Sequence, residues 1–88
     1  MTSQNATNAT TAVKQHLKDA WLFAALASLA DGQGDLDTAA KHAIRAWIQC
    51  EEAVKIAESE HLEGVAELEA TERMFAEASE LAVLASSS

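Results

Sequence analysis

Apolar residues recur every three to four positions over most of the chain, which is the spacing of one face of an α-helix. Their density is highest in Ala20–Ala30, where only Ser28 interrupts them. A helix that is apolar on nearly every side has to be covered by more than one neighbour. The pattern therefore predicts a first helix over about residues 11–30, buried beneath the rest of the protein with Trp21 in its core.

The clearest break in the pattern is a short segment with two glycines between aspartates. Gly32 or Gly34 can adopt the left-handed backbone conformation that ends a helix. Asp35 or Asp37 can then cap the next helix, because a short carboxylate accepts from backbone N–H groups in the first turn. The sequence therefore predicts a second helix over about residues 36–58.

The end of the second helix is marked only by Ser59, a possible cap, and by Gly64, which weakens a helix by about 1 kcal/mol relative to alanine. Beyond these residues, apolar positions again follow the three-and-four spacing of packed helices. A turn near residues 58–61 and a third helix over about residues 61–85 predict an antiparallel three-helix bundle. The alternative is a helical hairpin with one long second helix, whose exposed apolar faces would make it dimerise.

Composition supports an all-α fold, because the 88 residues include no proline, three glycines and no alternating strand pattern. Polar residues at both ends predict disordered tails over residues 1–9 and 86–88, around a single helical domain over residues 10–85. A core of this size gives marginal stability, which self-association can increase.

The sequence also bears on the cellular compartment of the protein. The segment Met1–Ala12 has neither the charged start nor the apolar middle of a signal peptide. The longest apolar stretch, Ala20–Ala30, is shorter than the roughly 20 residues that span a membrane. Cys50 is the single cysteine, which fits a reducing compartment. We therefore predict a cytoplasmic protein.

The net charge of −8 is placed unevenly along the chain. Residues 1–50 contain four aspartates against four basic residues, whereas residues 51–88 contain ten glutamates against Lys55 and Arg73. Such a surface does not favour direct binding of nucleic acid or anionic membranes, which both need clustered basic residues. We predict that the partner is another protein, with a basic surface as one possibility. The candidate partner-binding residues are Glu60, Glu63, Glu67, Glu77, Glu80 and the apolar anchor Trp47.

Chemistry-bearing motifs are sparse. Glu58 and His61 have the i, i+3 spacing found on one helix of di-iron carboxylate proteins, but a full site needs more carboxylates and a second such motif. A solvated surface explains the pair better. No nucleophile-and-base arrangement or phosphate-binding loop is present in the sequence. The sequence therefore predicts a protein that is not an enzyme and that uses no metal or cofactor.

The segment Phe23–Ala46 resembles a single tetratricopeptide repeat, which is a helix-turn-helix unit. Gly34 occupies the turn position of that family, and small residues occur where its two helices approach closely. The resemblance implies helical-hairpin packing and a protein-binding role. The residues that carry it are Phe23, Leu26, Ala27, Ala30, Gly34, Ala39, Ala43 and Ala46.

Two functional hypotheses follow from these features. The first is a small acidic helical interaction module that binds a protein and associates with itself through a leftover apolar face. The alternative is a small acidic inhibitor that occupies a basic, nucleic-acid-binding site on a partner protein, as small phage-encoded inhibitors of bacterial defence systems do.

Overall fold

The computed structural model describes the backbone of residues 2–87 and the side chains of residues 7–87. It contains three helices, α1 (Thr2–Gly32), α2 (Leu36–Ser59) and α3 (Val65–Ser87), and no strand within those residues. Helix α2 packs against both α1 and α3. The predicted all-α antiparallel three-helix bundle is confirmed, and the alternative with one long second helix is wrong, because α2 ends at Ser59.

The bounds of both outer helices differ from the prediction: α1 begins earlier, and α3 begins at Val65 rather than near residue 61 and ends later, at Ser87. Helix α1 begins at Thr2 rather than near residue 11, so residues 2–9 are helical where a disordered tail was predicted. The buried Ala9 lies one turn before the buried Val13 and continues the same stripe. At the other end, Ser86 and Ser87 continue α3, and their hydroxyls donate to the carbonyl of Val83 at 3.0 and 2.9 Å. Met1 and Ser88 lie outside the described residues.

The contact between α1 and α2 is built from small side chains. Six of the eight buried residues of α2 follow one another in steps of four and three, the spacing of a seam between two helices. Helix α1 brings Val13 and the fully buried Ala20 to this seam. Small residues allow the two backbones to come close together, since the distance between packed helices depends on the side chains between them. We call this set the small-residue stripe of α2: Ala39, Ala43, Ala46, Cys50, Ala53 and Ala57.

In the first turn, Gly34 is the glycine with a left-handed backbone and Asp35 is the aspartate that caps α2. Gly34 has φ +78°, a left-handed conformation that favours glycine. The N–H of Asp35 donates to the carbonyl of Ala30 at 2.9 Å, which closes the end of α1. The Asp35 carboxylate then accepts from the N–H of Thr38 at 3.2 Å and caps α2. The hydrogen bonds from Thr38 lower the pKa of Asp35 below its ordinary value.

The second turn carries the chain from α2 to α3 across Glu60–Gly64. The N–H of Leu62 donates to the carbonyl of Ala57 at 2.9 Å, and the Leu62 side chain packs on Ala57 and its buried neighbours. His61 and Gly64 both have positive φ, of 53° and 83°. Ser59 is the last residue of α2 rather than the cap of α3.

Helix α1 is not sealed beneath its neighbours, and this part of the sequence analysis is wrong. Trp21 is 55% exposed, and Leu22 and Leu29 are exposed as well. The reason is that the backbone of α1 lies close to that of α2 only: among the described residues, no Cα atom of α1 lies within 8 Å of one in α3, although side chains such as Trp21 and Phe75 still meet. Trp21 therefore is not a buried core residue, whereas Trp47 is half-buried. Within residues 2–87, no helix combines the length and the hydrophobicity that a transmembrane span requires.

The two glycines at the end of α1 offer a matched test of the first turn. Neither would meet a neighbouring atom within 4 Å if it gained a Cβ, so only backbone conformation separates them. Gly34→Ala should destabilise the protein by about 1–2 kcal/mol, because a Cβ is strained at positive φ. Gly32→Ala, in the last turn of α1, should stabilise it by about 0.4–1 kcal/mol. Urea unfolding of both variants measures these changes, and equal effects would contradict the turn described here.

Candidate protein-binding surface

The two outer helices together form a broad apolar surface. They run in the same direction, since each is antiparallel to α2, and an open groove separates them. At about 100° per residue, Leu29 lies on the side of α1 opposite the fully buried Ala20, away from α2. Met74 and Leu81, seven residues apart, share an exposed side of α3. We call this surface the α1/α3 face; its large apolar residues are Trp21, Leu22, Leu29, Met74 and Leu81, which are 55–67% exposed.

One half of the groove lies between the first part of α1 and the start of α3. It has a cavity volume of about 590 Å³. Val13, Leu17 and Leu68 line it with apolar side chains, while Lys14 on the α1 side and Glu67 on the α3 side are exposed. The interior of this half of the groove is therefore apolar, and its two edges carry opposite charges.

An aromatic contact closes the middle of the groove. The rings of Trp21 and Phe75 meet edge to face, with centroids 5.0 Å apart and planes at 64°. Phe75 is buried, so Trp21 packs one side of its indole on the core while most of the ring faces solvent. Trp21 is thus held in place by the fold and is also available to a partner, as expected of an aromatic anchor.

The other half of the groove is lined mainly by small residues. Ala27 and Ser28 of α1 face Ala78 and Ala82 of α3 there. The cavity volume is about 390 Å³, and Ala39 and Ala43 of α2 contribute to it as well. Leu81 also lines this half and is 67% exposed. The α1/α3 face therefore continues past Trp21 as an apolar surface.

The structure does not bring the predicted partner-binding glutamates onto one surface. Glu63 and Glu67 line the first half of the groove. Glu80 instead lies beside Trp47 in a separate groove between α2 and α3. The positions could not form one row, because Glu67 and Glu80 are about 140° apart around α3. The remaining two, Glu60 in the turn after α2 and Glu77 on α3, are exposed.

Trp47, predicted as the apolar anchor, contributes to the core. It packs against the buried cluster that includes Ala46, Cys50 and Phe75. Its indole N–H is buried and has no acceptor among the described residues. Burying such a donor costs about 1–3 kcal/mol, so the packing of the ring has to offset that penalty. Trp47 is therefore less accessible to a partner than Trp21.

No known protein family, curated protein or solved structure matches this chain. The α1–α2 hairpin exists and has Gly34 in its turn. The resemblance of Phe23–Ala46 to a tetratricopeptide repeat stays a prediction.

Glu58 and His61, the weak metal candidates, are both exposed near the second turn. Among residues 7–87, no three His, Cys, Asp or Glu side chains are placed to hold a metal ion. Glu58 instead lies beside Glu69 and Glu72 of α3. A hydrogen bond with Glu69, followed by partial desolvation and the charges of Glu69 and Glu72, raises the pKa of Glu58. These carboxylates form an acidic cluster across α2 and α3.

The single thiol has the environment of a structural residue. Cys50 is fully buried in the small-residue stripe. Burial, followed by the negative charge of Glu72, raises the pKa of Cys50 to about 11. Because the thiolate is the reactive form, Cys50 is a poor nucleophile at neutral pH.

The sequence analysis missed the α1/α3 face, although a signal for it existed. Leu22 and Leu29 are seven residues apart, as are Met74 and Leu81. Each pair forms a second apolar stripe beside the one that packs on α2. A second stripe of this kind indicates a helix with a further neighbour, and for α1 that neighbour was expected within the same chain.

Replacing Glu58 with glutamine tests the acidic cluster. Because the pKa of Glu58 is raised in the folded state, protonation of Glu58 stabilises the fold. This stabilisation is complete below the ordinary pKa of 4.5 and is lost as the pH rises through the pKa of the folded state. Glu58→Gln should therefore raise the melting temperature at pH 7 and give no gain below about pH 4. Glu80→Gln, outside the cluster, is the matched control. An equal gain from Glu58→Gln at both pH values would contradict the cluster.

Proposed function

We propose that this chain is a non-catalytic protein–protein interaction module that self-associates by covering the α1/α3 face. The observation that carries the proposal is the exposure of five large apolar side chains on one side of a small protein. Single exposed leucines are ordinary on protein surfaces, whereas a contiguous apolar patch marks an interaction site.

The energetics favour covering this surface. Burying a leucine, methionine or other large apolar side chain contributes about 1.5–3 kcal/mol relative to leaving it in water. Two copies that cover their α1/α3 faces bury such residues from both chains at once. A chain of 88 residues has a small core of its own, so association supplies stability that the monomer lacks.

Replacing apolar residues on and off the face tests the proposal. Leu29→Gln and Leu81→Gln should each raise the dissociation constant of the self-associated protein by at least about tenfold, because each removes buried apolar area. Ile48→Gln is the control, since Ile48 is exposed on α2 outside the face. It should change the constant by less than about twofold.

Sedimentation velocity over a range of protein concentrations measures the association. A native protein that sediments as a monomer at every concentration would contradict self-association. Equal effects of Leu29→Gln and Ile48→Gln would contradict the assignment to this face.

The acidic inhibitor is a second candidate, and the acidic cluster favours it. Glu58, Glu69 and Glu72 lie close enough together for the pKa of Glu58 to rise. The basic side chains beside them do not neutralise all of this negative charge. A concentration of negative charge on one side of a protein steers it toward basic surfaces.

Salt distinguishes the two candidates. An interface made of carboxylates against a basic partner weakens steeply between about 50 and 500 mM NaCl, because salt screens exposed charges. Self-association through apolar residues should persist in 500 mM NaCl. Measuring both self-association and binding to a polylysine probe across this range separates them: retained self-association supports the module, and salt-sensitive polylysine binding by a monomer supports the inhibitor.

A further inference from the structure

We infer that the occupant of the α1/α3 face is a second copy of this chain, related by a two-fold axis parallel to the helices. In this arrangement α1 of each copy lies over α3 of its partner, and the two groove openings face each other. The inference rests on the proposed function and specifies its geometry. Three features of the face lead to it: the distribution of charge, the levels of matching residues and the small residues between the anchors.

Charge is the first feature, because the two edges of the face differ. Glu69, Glu72 and Glu80 of α3 lie on the side toward α2, outside the face, so the charges that matter are those that line or border the groove itself. Lys14 and Lys18 are exposed at the start of the α1 edge, and Glu63 and Glu67 are exposed on the opposite edge. Complementary edges of this kind select the orientation in which partners meet.

These charges are not neutralised within one chain. In residues 7–87 the ion pairs shorter than 4.0 Å join Lys55 to Glu51 and Glu52. Lys14 and Glu67 line the same half of the groove yet are not paired across it. Their side chains therefore remain available to charges on another molecule.

The levels of residues along the helices are the second feature. Lys14 and Glu67 line one stretch of the groove, and Ser28 and Ala82 line another. Trp21 lies between these stretches, level with Phe75 of α3. A two-fold axis parallel to the helices rotates the second copy by half a turn and does not shift it along the axis. Residues at the same height along the helices within one chain are therefore also at the same height in the two chains of the dimer.

This symmetry therefore places complementary groups opposite each other. Lys14 of each copy comes over Glu67 of the other, and Trp21 comes over the α3 residues near Met74. Leu29 comes over the region of Leu81 in the same way. Charged contacts thus form at one end of the interface, and apolar contacts form along the rest.

The competing two-fold axis lies across the helices and gives a worse match. It stacks α1 on α1 and α3 on α3 in opposite directions, so the Glu67 edge of one copy does not meet the exposed lysines of the other. The complementary charges then contribute nothing to the orientation of the partners. It also moves Lys14 to the end of the face where Leu29 lies, away from any carboxylate edge.

Small residues are the third feature, because they let helices of the two copies approach. Ala25 on α1 and Ala70 and Ala78 on α3 are exposed between the larger apolar residues. Larger residues of one copy can then pack into the gaps beside alanines of the other, as knobs pack into holes.

Thiol cross-linking tests this geometry directly. Ala25 and Ala78 lie at about the same level on the two edges of the face, so Ala25→Cys in one copy should meet Ala78→Cys in the other. The native Cys50 is fully buried and should remain unreactive, which makes the unmodified protein the control. A mixture of ¹⁵N-labelled Ala25→Cys and unlabelled Ala78→Cys protein, treated with a short bis-maleimide, should give mainly a product containing one chain of each, identified by mass.

The outcomes separate the geometry from the proposed function. Products that join like positions, with the native protein still dimeric, would overturn the parallel two-fold axis but keep the interaction module. A native protein that stays monomeric, with no cross-linking above the level of the unmodified control, would overturn both self-association and this geometry, and would leave the face to a different protein.

Charge reversal supplies a second, independent measurement. The double variants Lys14→Glu/Lys18→Glu and Glu63→Lys/Glu67→Lys should each self-associate about tenfold more weakly than the native protein in low salt. An equimolar mixture should recover most of the lost affinity as a heterodimer, because each reversed edge then meets an opposite charge. Failure of the mixture to recover, with both variants folded by circular dichroism, would overturn the proposed orientation.

Discussion

The close packing of α1 on the small-residue stripe of α2 is the constraint on which the rest of the structure depends. Alanines and Cys50 make up that stripe, so α1 can approach α2 closely. Packing on one neighbouring helix covers only one side of a helix whose apolar residues surround it. The other side, which includes Leu22 and Leu29, has to remain in water or meet another molecule. The same small residues that stabilise the hairpin therefore create the exposed surface.

Helix α3 packs on α2 by a different mode. Its buried contacts use the bulky Phe75 and the half-buried Leu68, which reach the core from a greater distance than alanine does. The backbone of α3 consequently stands away from α1, and the groove remains open between them. Trp21 spans this gap at one level only, where its indole meets Phe75. Filling the groove from end to end would need several such large residues, and the alanines near Ala82 do not provide them.

The sequence predicted the helices and the first turn because both follow from local chemistry. Three-and-four periodicity identified α2 and α3, and the Gly34–Asp35 pair met the conformational and hydrogen-bonding needs of the turn. The exposure of Trp21 was not predictable in the same way, since periodicity tells which residues share a side but not how many neighbours cover it. The candidate glutamates do not share one surface, because Glu60 and Glu63 lie in a turn and because Glu67 and Glu80 are about 140° apart around α3. Residues 2–9 were taken for a tail because they are polar, although no proline or glycine interrupts the helix there.

The different positions of the two tryptophans have a spectroscopic consequence. Trp21 has most of its indole in water, whereas the Trp47 ring is half-buried and its N–H is shielded from solvent. Indole emission moves to shorter wavelength when the ring leaves water. Covering the α1/α3 face would therefore change the fluorescence of one tryptophan and leave the other as an internal reference. The protein carries a built-in optical reporter of its own occupancy.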